Sequence, residues 1–263
     1  MKVTKLEGEK HRPGVHQCKA CREQFTVTVG TIMERSHIPL AKWVLAIQLM
    51  AASKKGMSAK QIERMLGVTY RTAWFMMHRI RKAMSPDEKA GPLGGTGRPS
   101  SLTRPTSAVA PRTQRRASRS QRSTQSWRSS SATVRCAPHV PDVTARTVRE
   151  VLVRQVSRKS TLMTDDSLLY HWLGREFANH EAVNHSAKEY VRDAAHVNTA
   201  ESFFSLLKRG IMGSFHSVSE QHLQRYADEF AFRWNHRKVD DATRAAAIIR
   251  AADGKRLTYR RID

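Results

Sequence analysis

Between Lys89 and Pro141 the sequence contains no Asp, Glu or Lys, while ten Ser and nine Arg fall from Arg98 to Pro138. Nothing in that stretch is periodic, and large apolar side chains are few. Such a segment cannot bury enough surface to offset the entropy of ordering it, so residues 98 to 138 are expected to be disordered. Whatever folds must therefore do so from the two flanking parts.

The whole chain of 263 residues carries 46 Lys and Arg against 23 Asp and Glu, a formal charge of +23. A polyanion is the expected partner, and nucleic acid fits best. The Arg/Ser segment reads either as an arm that grips phosphates or as an insert without a selected role. No apolar run is long enough to span a membrane, and residues 1 to 10 lack the apolar core of a signal peptide. The expectation is a soluble, cytoplasmic protein with no membrane partner, and its three cysteines suit a reducing compartment.

On the N-terminal side, Cys18-Lys-Ala-Cys21 precedes an alternating run over 25 to 30. A tight turn presenting two thiolates before a strand is one knuckle of a zinc ribbon. A closed site needs two more ligands; His11 and His16 are the candidates, at spacings that make no second knuckle. The alternative is an unmetallated half-ribbon. From 39 to 54 the positions Leu40, Trp43, Val44, Ile47, Leu49 and Met50 recur at helical spacing. Ser58 caps a predicted helix to Leu66, Gly67 breaks it, and Thr69 caps a second helix to about residue 83. This is a helix-turn-helix pattern whose second helix would present Tyr70, Arg71, Thr72, His78, Arg79 and Arg81 to a major groove, with Met65, Leu66, Val68, Ala73, Phe75, Met76 and Ile80 as core. The competing reading is a helical hairpin with a basic solvated face.

On the C-terminal side, Asp142 or Thr144 can cap a helix with Val148, Val151, Leu152 and Val156 on its apolar face. A strand over 160 to 164 delivers Asp165 and Asp166. A short helix over 168 to 173, a strand over 180 to 185, and helices over 198 to 212, 220 to 237 and 241 to 252 come next. The helix starting at 198 carries Glu201 and Lys208, seven residues apart and so nearly in line along it. A carboxylate ending a strand and another on a helix about 35 residues further on is the spacing expected where acids converge on magnesium for phosphoryl transfer. The competing reading of Glu201 and Lys208 is a surface charge pair.

Several strings resemble a family: Arg12-Pro-Gly-Val-His-Gln-Cys-Lys-Ala-Cys, Ser36-His-Ile-Pro-Leu-Ala-Lys-Trp-Val, Val140-Pro-Asp-Val-Thr-Ala-Arg-Thr, Asn184-His-Ser-Ala-Lys-Glu-Tyr-Val and Arg256-Leu-Thr-Tyr-Arg-Arg. They are similar to insertion-sequence DDE transposases of the zinc-ribbon, ISXO-two-like group, over residues 10 to 97 and 139 to 263. The resemblance implies a mixed α/β chain: a truncated zinc-ribbon segment (1–35), a helix-turn-helix region (36–90), the Arg/Ser segment (91–138) and the remainder of a ribonuclease-H-like catalytic domain (139–263). It implies a nucleoid-associated enzyme, working as a multimer, that binds double-stranded DNA at terminal inverted repeats and cuts and joins strands with Mg2+ or Mn2+. By that resemblance Asp165 is the second catalytic carboxylate, Glu201 the third and Lys208 the lysine that touches DNA.

The family's first Asp sits in a strand motif of the form Glu-x-Asp-Glu-Thr-Tyr after a Gly-rich turn, matched here by Gly94-Gly95-Thr96-Gly97. In place of that motif this chain has Ser100-Ser-Leu-Thr-Arg-Pro-Thr106. Val-Glu-Pro-Asp-Glu-Thr-Tyr written as GTC GAG CCT GAC GAG ACC TAC, read one base late, yields those seven residues. Residues 98 to 138 are thus expected to be an out-of-frame translation between two compensating shifts, a pseudogene-like feature. Losing the first strands should strip the strand ending at Thr164 of its neighbours, leaving a degenerate, inactive copy. The alternative function is a non-catalytic DNA-binding remnant that recognises or represses related elements.

Overall fold

The computed structural model describes residues 3–7, 14–87, 91–93, 99–103, 126–129, 134–136, 144–165, 170, 172–183, 191–192, 195–196 and 198–257, and only the backbone at 99–103, 126–129, 165, 183, 191–192, 195–196 and 198–201. Three short antiparallel strands come first: β1 (Val3–Lys5), β2 (Val15–Cys18) and β3 (Gln24–Thr26). The strand expected over 25 to 30 is shorter, because Thr26 to Gly30 turns back through hydrogen bonds from the Val29 amide to Thr26 O and from Thr31 to Thr28 O.

Three helices then pack together: α1 (Leu40–Ala52), α2 (Ala59–Leu66) and α3 (Tyr70–Met84). Their ends obey local chemistry. The Gln61 amide donates to Ser58 Oγ, and the Ser58 amide donates to Gln61 Oε1, a reciprocal box that opens α2. Gly67 closes it at φ 57°, a left-handed conformation that a side chain would strain. Thr69 accepts from Thr72 N to open α3. In α1 the buried stripe is Trp43, Ala46, Ile47 and Met50, at i, i+3, i+4 and i+7. Val44, one residue round from that stripe, is 49% exposed, and Met65 is 56% exposed. Both differ from the inward position that their spacing predicts.

The second unit is a five-stranded mixed sheet. Its strands are β4 (Pro99–Thr103), β5 (Ser126–Ser129), β6 (Val134–Cys136), β7 (Thr161–Asp165) and β8 (Asn179–Val183), in the order β6-β5-β4-β7-β8. β5 runs antiparallel to both β4 and β6, whereas β4, β7 and β8 are parallel. The expectation that 98 to 138 holds no regular structure, and that β7 lacks neighbours, is corrected here: three of the strands lie in that interval. Leu162, Met163 and Thr164 of β7 are all buried, so the strand's main-chain groups need ladder partners. A ladder is made of backbone, which Ser and Thr supply as well as Val does. Residues 104 to 125, the bulk of the Arg/Ser run, lie outside the described residues.

α4 (Ala145–Gln155) begins at Thr144, which accepts from the Thr147 amide. Its Val148 and Leu152 join Leu162 of β7 in one core. Within the helix expected over 168 to 173, Tyr170 is helical and residues 168, 169 and 171 lie outside the described residues; a 3-10 turn (Leu173–Glu176) follows and feeds β8. Two residues each of β9 (Val191–Arg192) and β10 (Ala195–His196) pair before α5 (Asn198–Gly210), a π-helical turn (Ile211–Phe215), α6 (Glu220–Asn235) and α7 (Asp241–Arg250).

Phe203, Phe204 and Leu207 of α5 pack with Tyr226, Ala227 and Phe230 of α6 and with Val134 and Cys136 of β6. A Cβ at Gly210 would run into the Phe230 ring and come within 2.9 Å of Lys55 O, so this close crossing requires glycine. The sheet edge at β6 is closed by a side chain: Asn235 Oδ1 accepts from the Val134 amide at 2.7 Å and its Nδ2 donates to Val134 O at 2.9 Å. From α7, Ala245 and Ile248 enter the core of α1 to α3. The last helix therefore ties the C-terminal unit onto the N-terminal helices.

Candidate functional site

Asp165 is the last residue of β7, flanked by β4 and β8. On β4, Ser101 pairs with Met163. Continuing that register by two residues brings Thr103, the last residue of β4, level with Asp165. α5 carries Glu201 near its start and lies against β4 and β5. The sheet thus gathers the backbones of Thr103 and Asp165 at one strand end. The side chains of Asp165 and Glu201, expected to ligate magnesium, lie outside the described residues, as does Asp166. Lys208, two turns along α5, is half-buried.

The basic face expected of α3 divides in two. Tyr70 and Arg71 are exposed at its first turn, and Thr72 is half-buried with its hydroxyl accepting from Thr69. Arg79, expected at DNA, is instead buried, 7% exposed, and donates from Nη1 to Ile32 O at 2.9 Å and Glu34 O at 2.8 Å. It also stacks 4.6 Å over Phe75. His78 and Arg81, 1% exposed each, are likewise interior. The reason is that the segment before α1 supplies acceptors to Arg79, while α6 packs on this side of α3 and brings partners to His78 and Arg81.

Glu229 of α6 is the centre of those partners. It accepts from Arg81 Nε at 2.6 Å and pairs with Arg233 at 2.7 Å, while Arg233 also donates to Met50 O at 2.7 Å. Arg81 lies 3.9 Å over the Tyr226 ring. Burial pushes the Glu229 carboxyl up, but Arg233 and Arg81 pull it further down, so it stays charged. Next to this network His78 contacts Trp74 and His222, with ring centroids at 4.1 and 4.7 Å. Burial first, then the charges of Arg81, His222 and Arg225, drive His78 down to about 2.

This predicts acid lability. An unfolded His78 binds a proton below its ordinary value near 6.5, and the folded protein refuses it. The stability it contributes is therefore complete above that value and declines as pH falls. Between pH 7 and 5 the loss should be about 2 kcal/mol. Urea unfolding of the protein and of His78→Phe at both pH values checks this; equal pH dependence in the two would defeat the assignment.

At the N-terminus, Cys18 and Cys21 form the expected turn: the Arg22 amide donates to Cys18 O and the Cys18 amide to Glu23 O. Hydrogen bonds from the Cys21 and Ala20 amides hold the Cys18 thiol below its ordinary value, as a thiolate ligand requires. His16 Nδ1 is engaged with Gly14 O and its ring stacks on Phe25. No group of three or more His, Cys, Asp or Glu gathers as a metal site among the described residues, and His11 lies outside them. Two thiols alone do not fit a closed zinc site.

Sequence reasoning missed the buried Arg81–Glu229–Arg233 network and a cationic cavity lined by Lys54, Arg209 and Arg237. The one legible trace of the cavity is Ser202, Ser205 and Arg209 at helical spacing on α5.

A five-stranded mixed sheet with helices packed against it defines an α/β protein of mixed topology. Residues 108–235 match the ISXO2-like transposase domain family. A curated relative, the "Uncharacterized protein in transposable element ISH50" of Halobacterium salinarum (strain ATCC 700922 / JCM 11081 / NRC-1), is 25% identical over 228 residues, covering 82% of this chain and 76% of its own length. Over these stretches the chain is similar to insertion-sequence transposases of the ISXO2-like group. Among solved structures, a pre-cleavage Mos1 transpososome is similar over 80% of this chain and 79% of that one, at 12% identity and a TM-score of 0.24. The Mos1 Strand Transfer Complex is similar over 80% and 78%, at 13% identity and a TM-score of 0.20. Likeness at that level carries no argument. Among the described residues no helix is long and apolar enough to cross a membrane.

Proposed function

We propose that this chain is a DNA transposase built to bind terminal inverted repeats and to cut and join strands by two-metal phosphoryl transfer, and that this copy is catalytically defective. The carrying observation is the register that levels Thr103 with Asp165. The strand order, an antiparallel trio and then two parallel strands with α4 between, supports a ribonuclease-H-like reading. In such a site two divalent ions about 3.5 to 4 Å apart repel each other, and carboxylates must offset that charge. Asp165 and Glu201 supply two. The residue level with Asp165 on β4 is a threonine and not a third acid, so the residue types present do not fit a two-ion site and no reaction step is assigned through one.

The same position supports the out-of-frame origin of 98 to 138. In the shifted reading the Asp codon GAC, with the G after it, yields ACG, and this threonine is the fourth of the seven residues, Thr103. The coding DNA tests it: if neither other frame yields an Asp-Glu-Thr-Tyr string there, the idea fails.

The exposed first turn of α3, with Tyr70, Arg71 and Thr72, supports groove recognition, since the N-terminal residues of a recognition helix reach base edges. It also favours a second reading: a non-catalytic remnant that occupies element ends and represses intact copies. Band shifts and strand-transfer assays on inverted-repeat DNA with Mg2+ or Mn2+ decide. Sequence-selective retention without joined product is expected. Joined product would refute the defect, and retention that ignores sequence and vanishes with salt would leave only a polycation.

A further inference from the structure

A cavity of about 730 Å3 opens where the end of α1 meets α5, α6 and α7. Five cationic side chains line it, Lys54, Arg209, Arg233, Arg237 and Arg244, and among the described residues no acidic one does. Two of these are neutralised from outside, Arg233 by Glu229 at 2.7 Å and Arg244 by Asp241 at 2.8 Å. The other three have no carboxylate partner among the described residues. Arg209 donates to Ser205 O and Arg237 to Trp234 O, neutral acceptors that do not offset their charge.

Donors are also unmet within the walls. Arg233 is only 5% exposed, yet its Nε and Nη1 find no acceptor among the described residues, and neither does the indole Nε1 of Trp234. A buried N–H without an acceptor loses its hydrogen bond to water with nothing in return, so the cavity favours a ligand made of acceptors. Ser202 and Ser205 add hydroxyls from α5. Excess positive charge, guanidinium forks and unmet N–H groups together match a phosphate group, whose oxygens accept several charge-assisted bonds at once.

We propose that this cavity is a phosphate-binding pocket and that its occupant is a backbone phosphodiester of DNA. Ser202 directly follows Glu201 on α5, so a strand crossing the turn that carries the third carboxylate would lay a neighbouring phosphate against Arg209 and Arg237. Lys208 is not among the lining residues, so this contact is separate from the lysine that the family resemblance places at DNA. Assigning the phosphate to DNA rests on the transposase reading; the pocket itself does not.

The test uses the full chain, with the double variant Arg209→Gln/Arg237→Gln and a control, Arg154→Gln/Lys159→Gln, that removes the same charge from exposed positions. The Trp234 indole N–H signal, assigned through Trp234→Phe, is tracked by NMR on adding inorganic phosphate, pyrophosphate or a short inverted-repeat duplex, and duplex affinity is read by fluorescence anisotropy. The pocket variant should lose duplex affinity about 10- to 100-fold near 0.1 M salt and lower the log–log salt slope by about 2. The control should lose less than about 3-fold, and the Trp234 shift should vanish only in the pocket variant. If inorganic phosphate moves the Trp234 signal while the duplex does not, the occupant is a free phosphate and the DNA assignment falls. If the unaltered chain binds no duplex but phosphate still moves the signal, the transposase reading fails and the pocket stands. If no probe moves it, or if the control loses as much as the pocket variant, the pocket is refuted.

Discussion

Replacing Glu229 with Gln should lower the unfolding free energy by about 3 to 5 kcal/mol, the cost of leaving buried charge unpaired. Glu229 is fully buried and both its guanidinium partners are at most 5% exposed. Gln preserves the shape and removes the one negative charge, so Arg81 and Arg233 would face each other with nothing between them to neutralise either. The loss should be global. Arg81 belongs to α3 and Arg233 reaches Met50 O of α1, so the network joins the N-terminal helices to α6. Substituting Gln for Glu63, whose one ion-pair partner among the described residues, Lys60, is solvent-exposed, should change stability by less than about 1 kcal/mol. Urea unfolding of the two variants checks the contrast, and a Glu229→Gln loss below that of Glu63→Gln would mean that the network contributes nothing. Because Glu229 is held below its ordinary value near 4.5, its contribution is present above that pH and fades as pH drops further.

What the sequence made legible and what it hid divide along range of interaction. Ser58, Gly67, Thr69 and Thr144 mark helix ends because capping joins residues three or four apart, and each marks the end expected of it. Glu201 and Lys208 share α5 for the same short-range reason. Residue type alone assigns Arg79 and Arg81 to solvent. Arg81 is interior because its acceptor, Glu229, lies 148 residues away, and no local pattern announces that. The strands at 99–103, 126–129 and 134–136 were hidden for a different reason. Composition reports which side chains can be buried, but a strand is held by a ladder of main-chain groups, and β7 supplies a partner whatever the side chains of β4 are. The cationic cavity needs α1, α5, α6 and α7 together, so only the serine and arginine spacing on α5 was readable beforehand.

Substituting Asp for Thr103 should raise the affinity of the full chain for Mn2+ by at least about 10-fold, since ligand charge count sets the affinity of oxygen-donor sites. Backbone positions are the reason: Thr103 and Asp165 close their parallel strands at one level, and α5, which carries Glu201, lies against β4. A third carboxylate there would supply the negative charge that two divalent ions need. Ser101→Asp is the control, because it adds the same charge to the same strand about 7 Å back from its end. Titration of free Mn2+ by electron paramagnetic resonance should separate them, with a gain for Thr103→Asp alone. Adding Glu201→Gln should cancel that gain if both carboxylates hold the same ions, and leave it intact if the new Asp merely collects cations near the sheet. Strand cleavage of inverted-repeat DNA should then appear only in Thr103→Asp with Glu201 present. Equal Mn2+ affinity in the Thr103→Asp and Ser101→Asp chains would sink the reading of Thr103 as the residue standing in for the first carboxylate, because charge alone, and not position at the strand end, would then account for binding.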